Sequence, residues 1–490
     1  MPCLHQPPPP CIIPSTASRA ATPVCQLPVS HCLFPLEYKT KMEDDDWVLV
    51  SSPSAASTVD TTPGYLDDIS AFVDELADAL WPVNKKIHDH PELGFKEKIA
   101  AEALTSFLKA RRGWNVTLGV YGMETAWVAV WDSGRKGTVV SFNAEMDALP
   151  EIGHACGHNL IATASVAGAL AAAAVMEKDQ LPGKVVLFGT PAEEGGGGKI
   201  KLLKAGAYTD YKVDFNLISH PGITADSALM TTTAYTRFKV EYLGRESHAA
   251  ANPWLGINAL DALITAYNAL SMLRQQTQPT DIIQGHITSG GLAPNIIHAY
   301  AAGIFVLRAS SLSRLATLTK KARSCFVAGA TATGSRLVLT QQNSYADHRP
   351  NALLASLYRR SFNALGGAIP GPAIDAAQGH SNASTDQGDV SYALPSLSAG
   401  FAIRPGAQGN GPHSPDFEQA AGTREAFGRA LRVGKALAGT AVAVVRGEGG
   451  GRDEVWRVWR RDVKGEEEEE GGKNGWRWET GEGESETGEL

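Results

Sequence analysis

Three β-rich apolar runs, "GTVVSFNAEM", "GKVVLFGTPAEE" and "DFNLISHPG", are separated by helical stretches, and each gives way to a polar loop. The segment "IAAEALTSFLKAR" is amphipathic at helical spacing, and "TAWVAVW" supplies a further β-rich run. Strands interleaved with helices confine the chain to an α/β layer architecture, a mixed and largely parallel sheet with helices on both faces. From about 234 the pattern changes. "AYTRFKVEYLG" alternates like a half-exposed strand and "GINALDALITAYNALSMLRQQ" reads as a long amphipathic helix. Two strands, "DIIQGHITSG" and "AYAAGIFVLRAS", a helix at about 312–328 and a strand "RLVLTQQN" follow. The order βαββαβ is that of a ferredoxin-like unit.

The expected organisation is therefore an N-terminal extension over 1–60 and a catalytic domain in two parts, 61–233 and 349–445. A ferredoxin-like unit is inserted at 234–348, and an acidic tail occupies 446–490. The first 60 residues are rich in Pro, Ser and Thr, and the last 45 carry an acidic run among glycines, so both ends read as disordered.

With 490 residues, 43% of them hydrophobic, the chain has material for two or three domains. A net charge of −8 and the lack of a basic stripe argue against nucleic acid as a partner. No apolar run reaches about 18 residues, which argues against a membrane span; "LIATASVAGALAAAAVM" reads as a buried helix. Of six cysteines, four (Cys3, Cys11, Cys25, Cys32) precede residue 33, and the body keeps only Cys156 and Cys325. That is no disulfide framework, so a cytoplasmic setting is expected.

The chemistry gathers where strands end. His154, Cys156 and His158 stand at every second position in "EIGHACGHNL", Glu193 and Glu194 follow a strand in "GTPAEEGGGGK", His220 lies in "ISHPG" and His413 in "GPHSPDF". The carboxyl edge of an α/β sheet is where ligands bind. Asp147 in "NAEMDALP", with Glu145 two residues before it, is placed to orient a ligating imidazole. "EEGGGGK" fails as a phosphate loop, since Glu193 occupies the first glycine position and Ile200 replaces the Ser/Thr that would hold magnesium.

Taken together, "HDHPELGFKE", "AEMDALPEIGHACGHNLIA", "TPAEEGGGGK", "SHAAANPWLGINALDALITAYNALSMLRQQ", "GGLAPNIIHAY", "STDQGDVSYALPS" and "HSPDF" resemble metallopeptidase family 20. That family contains aminoacylase-1 and the aminobenzoyl-glutamate hydrolases, and the chain looks closest to its aminoacylase-1-like protein 2 branch, whose animal members are Xaa-Arg dipeptidases. The resemblance covers about residues 65–445. It implies a zinc-peptidase-like catalytic domain with an inserted lid and dimerisation domain.

It further implies two divalent ions, zinc first and manganese or cobalt next, held by Cys156, His158, Glu194, His220 and His413. Glu193 matches the general acid/base, Asp147 the orienting carboxylate, and His248 the imidazole that reaches the partner subunit's site. Asn295 and Arg308 match lid residues that bind the substrate carboxylate, and His154 is left as a structural imidazole. Met146 and Asp389 depart from residues common in the branch without touching a ligand.

The activity implied is hydrolysis of a small amide, a dipeptide of Xaa-Arg or Xaa-Lys type, by a homodimer. The alternatives are an N-acyl-amino-acid or aminobenzoyl-glutamate amidohydrolase and, in another class, a non-catalytic metal-binding scaffold.

Overall fold

The computed structural model describes residues 63–464; the expected N-terminal extension, and the expected tail beyond 464, lie outside the described residues. Its strands are β1 (Trp114–Leu118), β2 (Trp127–Asp132), β3 (Thr138–Glu145), β4 (Gly183–Thr190), β5 (Phe215–Gly222), β6 (Ala234–Leu243), β7 (Ser247–His248), β8 (Ile282–Ser289), β9 (Ile296–Ile297), β10 (Tyr300–Ala309), β11 (Arg336–Tyr345) and β12 (Ser396–Ala402). The first three helices are α1 (Tyr65–Asp89), α2 (Lys98–Lys109) and α3 (His158–Lys178).

One sheet has the order β1-β2-β4-β3-β5-β12. Its four strands β4, β3, β5 and β12 pair in parallel, and β2 and β1 extend it antiparallel at one edge. Strand β4 shows why helices cover both faces. Val185 and Leu187 pack with α3 and with the helix Arg424–Val445, whereas Val186 and Phe188 pack with Leu202, Tyr208 and Val390. Alternate side chains point to opposite faces of a strand, so an apolar run without alternation needs a second covering layer.

Helix α3 is long and apolar enough to cross a bilayer, but 94% of that stretch is enclosed by protein. Its alanines and Gly168 let the helix Arg424–Val445 come close; a Cβ on Gly434 would stand 2.8 Å from the Ala164 carbonyl oxygen. The expected buried helix is what the chain forms there.

The second sheet, β11-β6-β10-β8, is wholly antiparallel. In chain order its strands and the helices Ala259–Leu273 and Leu312–Thr333 run β-α-β-β-α-β, and it has a core of its own around Phe238, Tyr242, Leu263, Phe305 and Phe326. Strand β6 alternates buried and half-buried along its whole length.

Residues 451–464 correct the expectation of a tail. Gly451–Trp459 is a helix with Val455 and Trp459 buried. Trp459 Nε1 donates to the Ser391 carbonyl at 2.7 Å, and Asn351 Nδ2 donates to the Val455 carbonyl at 2.9 Å. The spacing of Val455, Val458 and Trp459 is that of one helical face. Trp459→Ala is expected to lower stability by about 3–5 kcal/mol. Urea unfolding of the full chain checks this, and a loss below about 1 kcal/mol would show the segment to be detachable.

His348 lies buried just after β11, its Nδ1 donating to the Met230 carbonyl at 2.9 Å. Burial lowers its pKa from 6.5 to about 4. As pH falls, the unfolded chain therefore takes up this proton first. The contribution is complete above about pH 6.5 and is lost on the way down to about pH 4, roughly 3 kcal/mol in all. Unfolding curves across this range should show a shallower pH slope for His348→Gln; an unchanged slope would remove His348 as a source.

Candidate metal centre and active site

The parallel strands deliver their loops to one edge. Glu145 ends β3, with Asp147 two residues on; Glu193 and Glu194 follow the end of β4, and His220 lies near the end of β5. His413 arrives on the loop after β12, its N–H bonded to the Ala155 carbonyl at 2.8 Å. His158 is the first residue of α3. Gly157 before it has a φ of 79°, and a Cβ there would stand 2.6 Å from the Pro221 ring. Only glycine relieves both constraints between Cys156 and His158.

Asp147 ties these loops together. It is buried, its Oδ1 accepting from the Glu193 N–H at 3.1 Å and lying 3.2 Å from His158 Nδ1, while Oδ2 accepts from the Glu194 N–H at 2.9 Å. Burial alone would raise its pKa, but the His158 ring and the two amides outweigh it and hold the carboxyl below the usual range. As a carboxylate it fixes the His158 ring with Nε2 turned toward the cluster.

The donor atoms converge. Cys156 Sγ is 3.3 Å from His220 Nε2, and His413 Nε2 is 3.2 Å from Glu194 Oε1. His158 Nε2 faces Glu145 Oε2 at 3.4 Å, Glu193 Oε2 at 3.8 Å and Glu194 Oε1 at 4.0 Å, with no hydrogen bond to any of them. Ligand atoms of Cys156, His158 and His220, of Cys156, Glu194 and His413, and of His158, Glu193 and Glu194 each form a group within 4.8 Å. Donors on one tetrahedral ion, with bonds of about 2.0–2.3 Å, stand roughly 3.5 Å apart, so the spacing fits a metal.

The electrostatics fit it too. Burial and the Glu194 carboxylate push the Cys156 thiol well above its ordinary pKa. Burial opposes charge on His158, yet Cys156, Asp147 and Glu145 raise its pKa well above normal. The cluster thus draws in a cation, and a divalent ion is the one that also yields a thiolate and a neutral imidazole.

Two non-glycine residues with left-handed backbone frame the centre, Ala192 (φ 55°) and His413 (φ 66°). Such residues store about 1–3 kcal/mol each and gather at functional sites. Gly198 closes the loop beneath: a Cβ there would stand 1.8 Å from the Pro191 carbonyl oxygen.

The structure thus brings together Asp147, Cys156, His158, Glu193, Glu194, His220 and His413. His248, Asn295 and Arg308 stand apart from them. Exposed His248 is in β7, its Nδ1 accepting from the Ala250 and Ala251 amides, and the Asn295 carbonyl accepts from the Ala249 amide. Arg308 Nη1 donates to Ser384 Oγ at 2.7 Å, and its guanidinium lies over the Tyr235 ring. His154 is buried against His88, and burial lowers its pKa to about 3, so it is a neutral packing residue. Sequence reasoning left Lys199 and Asp386 without a role, although Lys199 pairs with Glu145 and Asp386, and Asp386 lies beside Glu193 and Glu145. Their only signal was a lysine after the glycine run and an aspartate in "STDQGDVS".

The profile of peptidase family M20/M25/M40 matches residues 141–421. The mouse Xaa-Arg dipeptidase is 40% identical over 384 residues, covering 76% of this chain and 87% of that one. The chain belongs to peptidase family M20/M25/M40. A p-aminobenzoyl-glutamate hydrolase polypeptide from Escherichia coli is a more distant relative, 32% identical over 270 residues that cover 51% of this chain and 55% of that one. Among solved structures, a dinuclear metal binding peptidase of the M20 family from Bacillus subtilis shares the fold, with a TM-score of 0.57 at 18% identity over 77% of this chain and 99% of that one. The M20/M25/M40 match spans the loops that carry the cluster, from Glu145 and Asp147 to His413.

Proposed function

We propose that this peptidase hydrolyses dipeptides with a basic C-terminal residue, of Xaa-Arg type, at a centre of two divalent metal ions. The observation that carries the chemistry is the convergence of Cys156, His158, Glu194, His220 and His413 around a buried carboxylate, Glu193, that has no fixed donor of its own among the described residues. The substrate class rests on the mouse relative of that name. Cys156, His158, Glu194, His220 and His413 would hold the metals, and a soft thiolate with imidazoles suits zinc. Bound there, divalent ions lower the pKa of water from 15.7 to about 7 and polarise the carbonyl of the scissile amide.

The chain's own residues do the rest. Burial, with Glu145 and Glu194 close by, raises the pKa of Glu193 well above that of a free carboxyl. It is therefore a competent base toward water and, once protonated, a competent acid toward the departing amine. Glu194 is held below its usual pKa, chiefly by His413 against the pull of burial, which suits a ligand that stays ionised. His158 is kept in one orientation by Asp147.

Homodimerisation belongs to this proposal. The helix Ala259–Leu273 exposes Ile264, Tyr267 and Met272, and exposed His248 is free to reach across to a second subunit. Arg308 and Asn295 would then meet the substrate carboxylate when the second sheet closes over the centre. A strictly monomeric, fully active enzyme in sedimentation experiments would contradict it. A cytoplasmic location is proposed on the strength of Cys156 and Cys325, both free.

The test of substrate class is a hydrolysis screen that sets dipeptides ending in Arg, Lys or ornithine against N-acyl amino acids and p-aminobenzoyl-glutamate. Preference for the basic dipeptides supports the reading. Preference for the acylated compounds replaces it with the amidohydrolase activity suggested by the Escherichia coli relative.

A further inference from the structure

We propose that Lys199 is a built-in cation that positions the catalytic base by pinning Glu145 and Asp386, the two carboxylates that flank Glu193. The inference rests on the reading of Glu193 as the base.

Glu145, Glu193 and Asp386 present carboxylate oxygens within 4.8 Å of one another, and all three are buried. Three like charges at that distance in a dry interior repel strongly and need a counter-charge. Taken alone, the trio is a plausible site for a third divalent ion. The chain fills the need from within.

Lys199 is 0% exposed; its Nζ lies 2.7 Å from Glu145 Oε1 and donates to Asp386 Oδ1. Its backbone N–H donates to Asp386 Oδ2 at 2.9 Å, so one residue holds both oxygens of Asp386. A lysine suits the place, being a compact point charge with three donors.

The clamp is anchored on its far side. Next to Asp386, the Gln387 side chain bonds Asn143 and Asn216, each at 2.8 Å. On its near side Glu145 spans the gap, with Oε1 on Lys199 and Oε2 at 3.4 Å from His158 Nε2.

This arrangement answers what distinguishes two adjacent glutamates. Glu194 groups with Cys156 and His413, the ligand side. Glu193 stands between the two sides, grouping with His158 and Glu194 and also with Glu145 and Asp386, the side that holds the ammonium. With Glu145 and Asp386 both held on the ammonium, the carboxylates flanking Glu193 are fixed, and Glu193 is left to face the reacting water. Lys199 touches no reacting atom, so it is a positioning residue.

The experiment compares metal-loaded full-length Lys199→Met, Lys199→Ala and Asp386→Asn with the parent on an Xaa-Arg dipeptide. It reads kcat, KM, metal content by elemental analysis, and folding by circular dichroism. The expected result is a fall in kcat of about 10²-fold in the lysine variants, with KM changed by less than about threefold and the parent's metal content retained. Ethylammonium is expected to restore part of the kcat of Lys199→Ala by refilling the clamp, and tetramethylammonium, which lacks N–H donors, to restore none.

A kcat within about threefold of the parent overturns the proposal. So does a loss that no amine restores, or one that accompanies lost metal or lost folding in all three variants, because each assigns the clamp to structure alone. Glu193→Gln run in parallel separates the two readings. Full activity there removes Glu193 as the base; an inactive Glu193→Gln beside an active Lys199→Met overturns only the role of Lys199.

Discussion

Glu193→Gln is expected to lower kcat by about 10²- to 10⁴-fold while metal content and folding stay as in the parent. The amide keeps the shape of the side chain in a site only 6% exposed, so packing is conserved. It cannot accept the proton that leaves the attacking water, nor return one to the amine. Glu194→Gln should behave differently, losing metal together with activity, since Glu194 stands with Cys156 and His413. Steady-state kinetics alongside elemental analysis checks both. Equal loss of metal in the two variants would erase the division of labour between the neighbours.

Metal removal is the second large effect. Dialysis against a chelator is expected to lower hydrolysis by more than about 10³-fold, because water near pH 7 is then no longer a competent nucleophile toward an amide. Added divalent metal should restore it. The loss should also be steeper at low pH. Protons compete with the ion at Cys156 and His158, both of which the surroundings push toward the protonated form when no metal neutralises them. Metal titrations at pH 6 and pH 8 should therefore give weaker binding at the lower value. The melting temperature should fall with the metal, since an ion at about a hundred times its Kd stabilises the fold by about 2.7 kcal/mol. Activity that survives chelation intact would sink the metal reading.

The architecture was legible because its strands carry their layer in their pattern. Strand β4 is apolar on both faces and proves to be covered on both, and β6 alternates and proves to be covered on one. The residues that the structure gathers were legible as a set because each lies at or beyond the carboxyl end of such a strand. What escaped was longer in range or hidden by composition. Lys199 and Asp386 are 187 residues apart, and no local spacing announces that they meet. The helix Gly451–Trp459 was obscured by the glycines before it and the acidic run after it, although Val455, Val458 and Trp459 fall at three- and four-residue steps. Asn295 and Arg308 were assigned by resemblance alone, and their places in the second sheet and its adjoining loop leave their meeting with substrate to be tested.

The sheet order has a consequence for how the enzyme comes into being. β12 docks in parallel on β5, yet the whole β6–β11 sheet is translated between them. At 5–20 residues per second a ribosome needs on the order of ten to thirty seconds to pass from one strand to the other. His413 emerges later still, so the nascent chain holds Cys156, His158, Glu194 and His220 without their last companion throughout that interval. The full set of donors is thus completed only late in synthesis. The intervening sheet, with its own core, is free to fold first, while β5 waits with one edge unpaired.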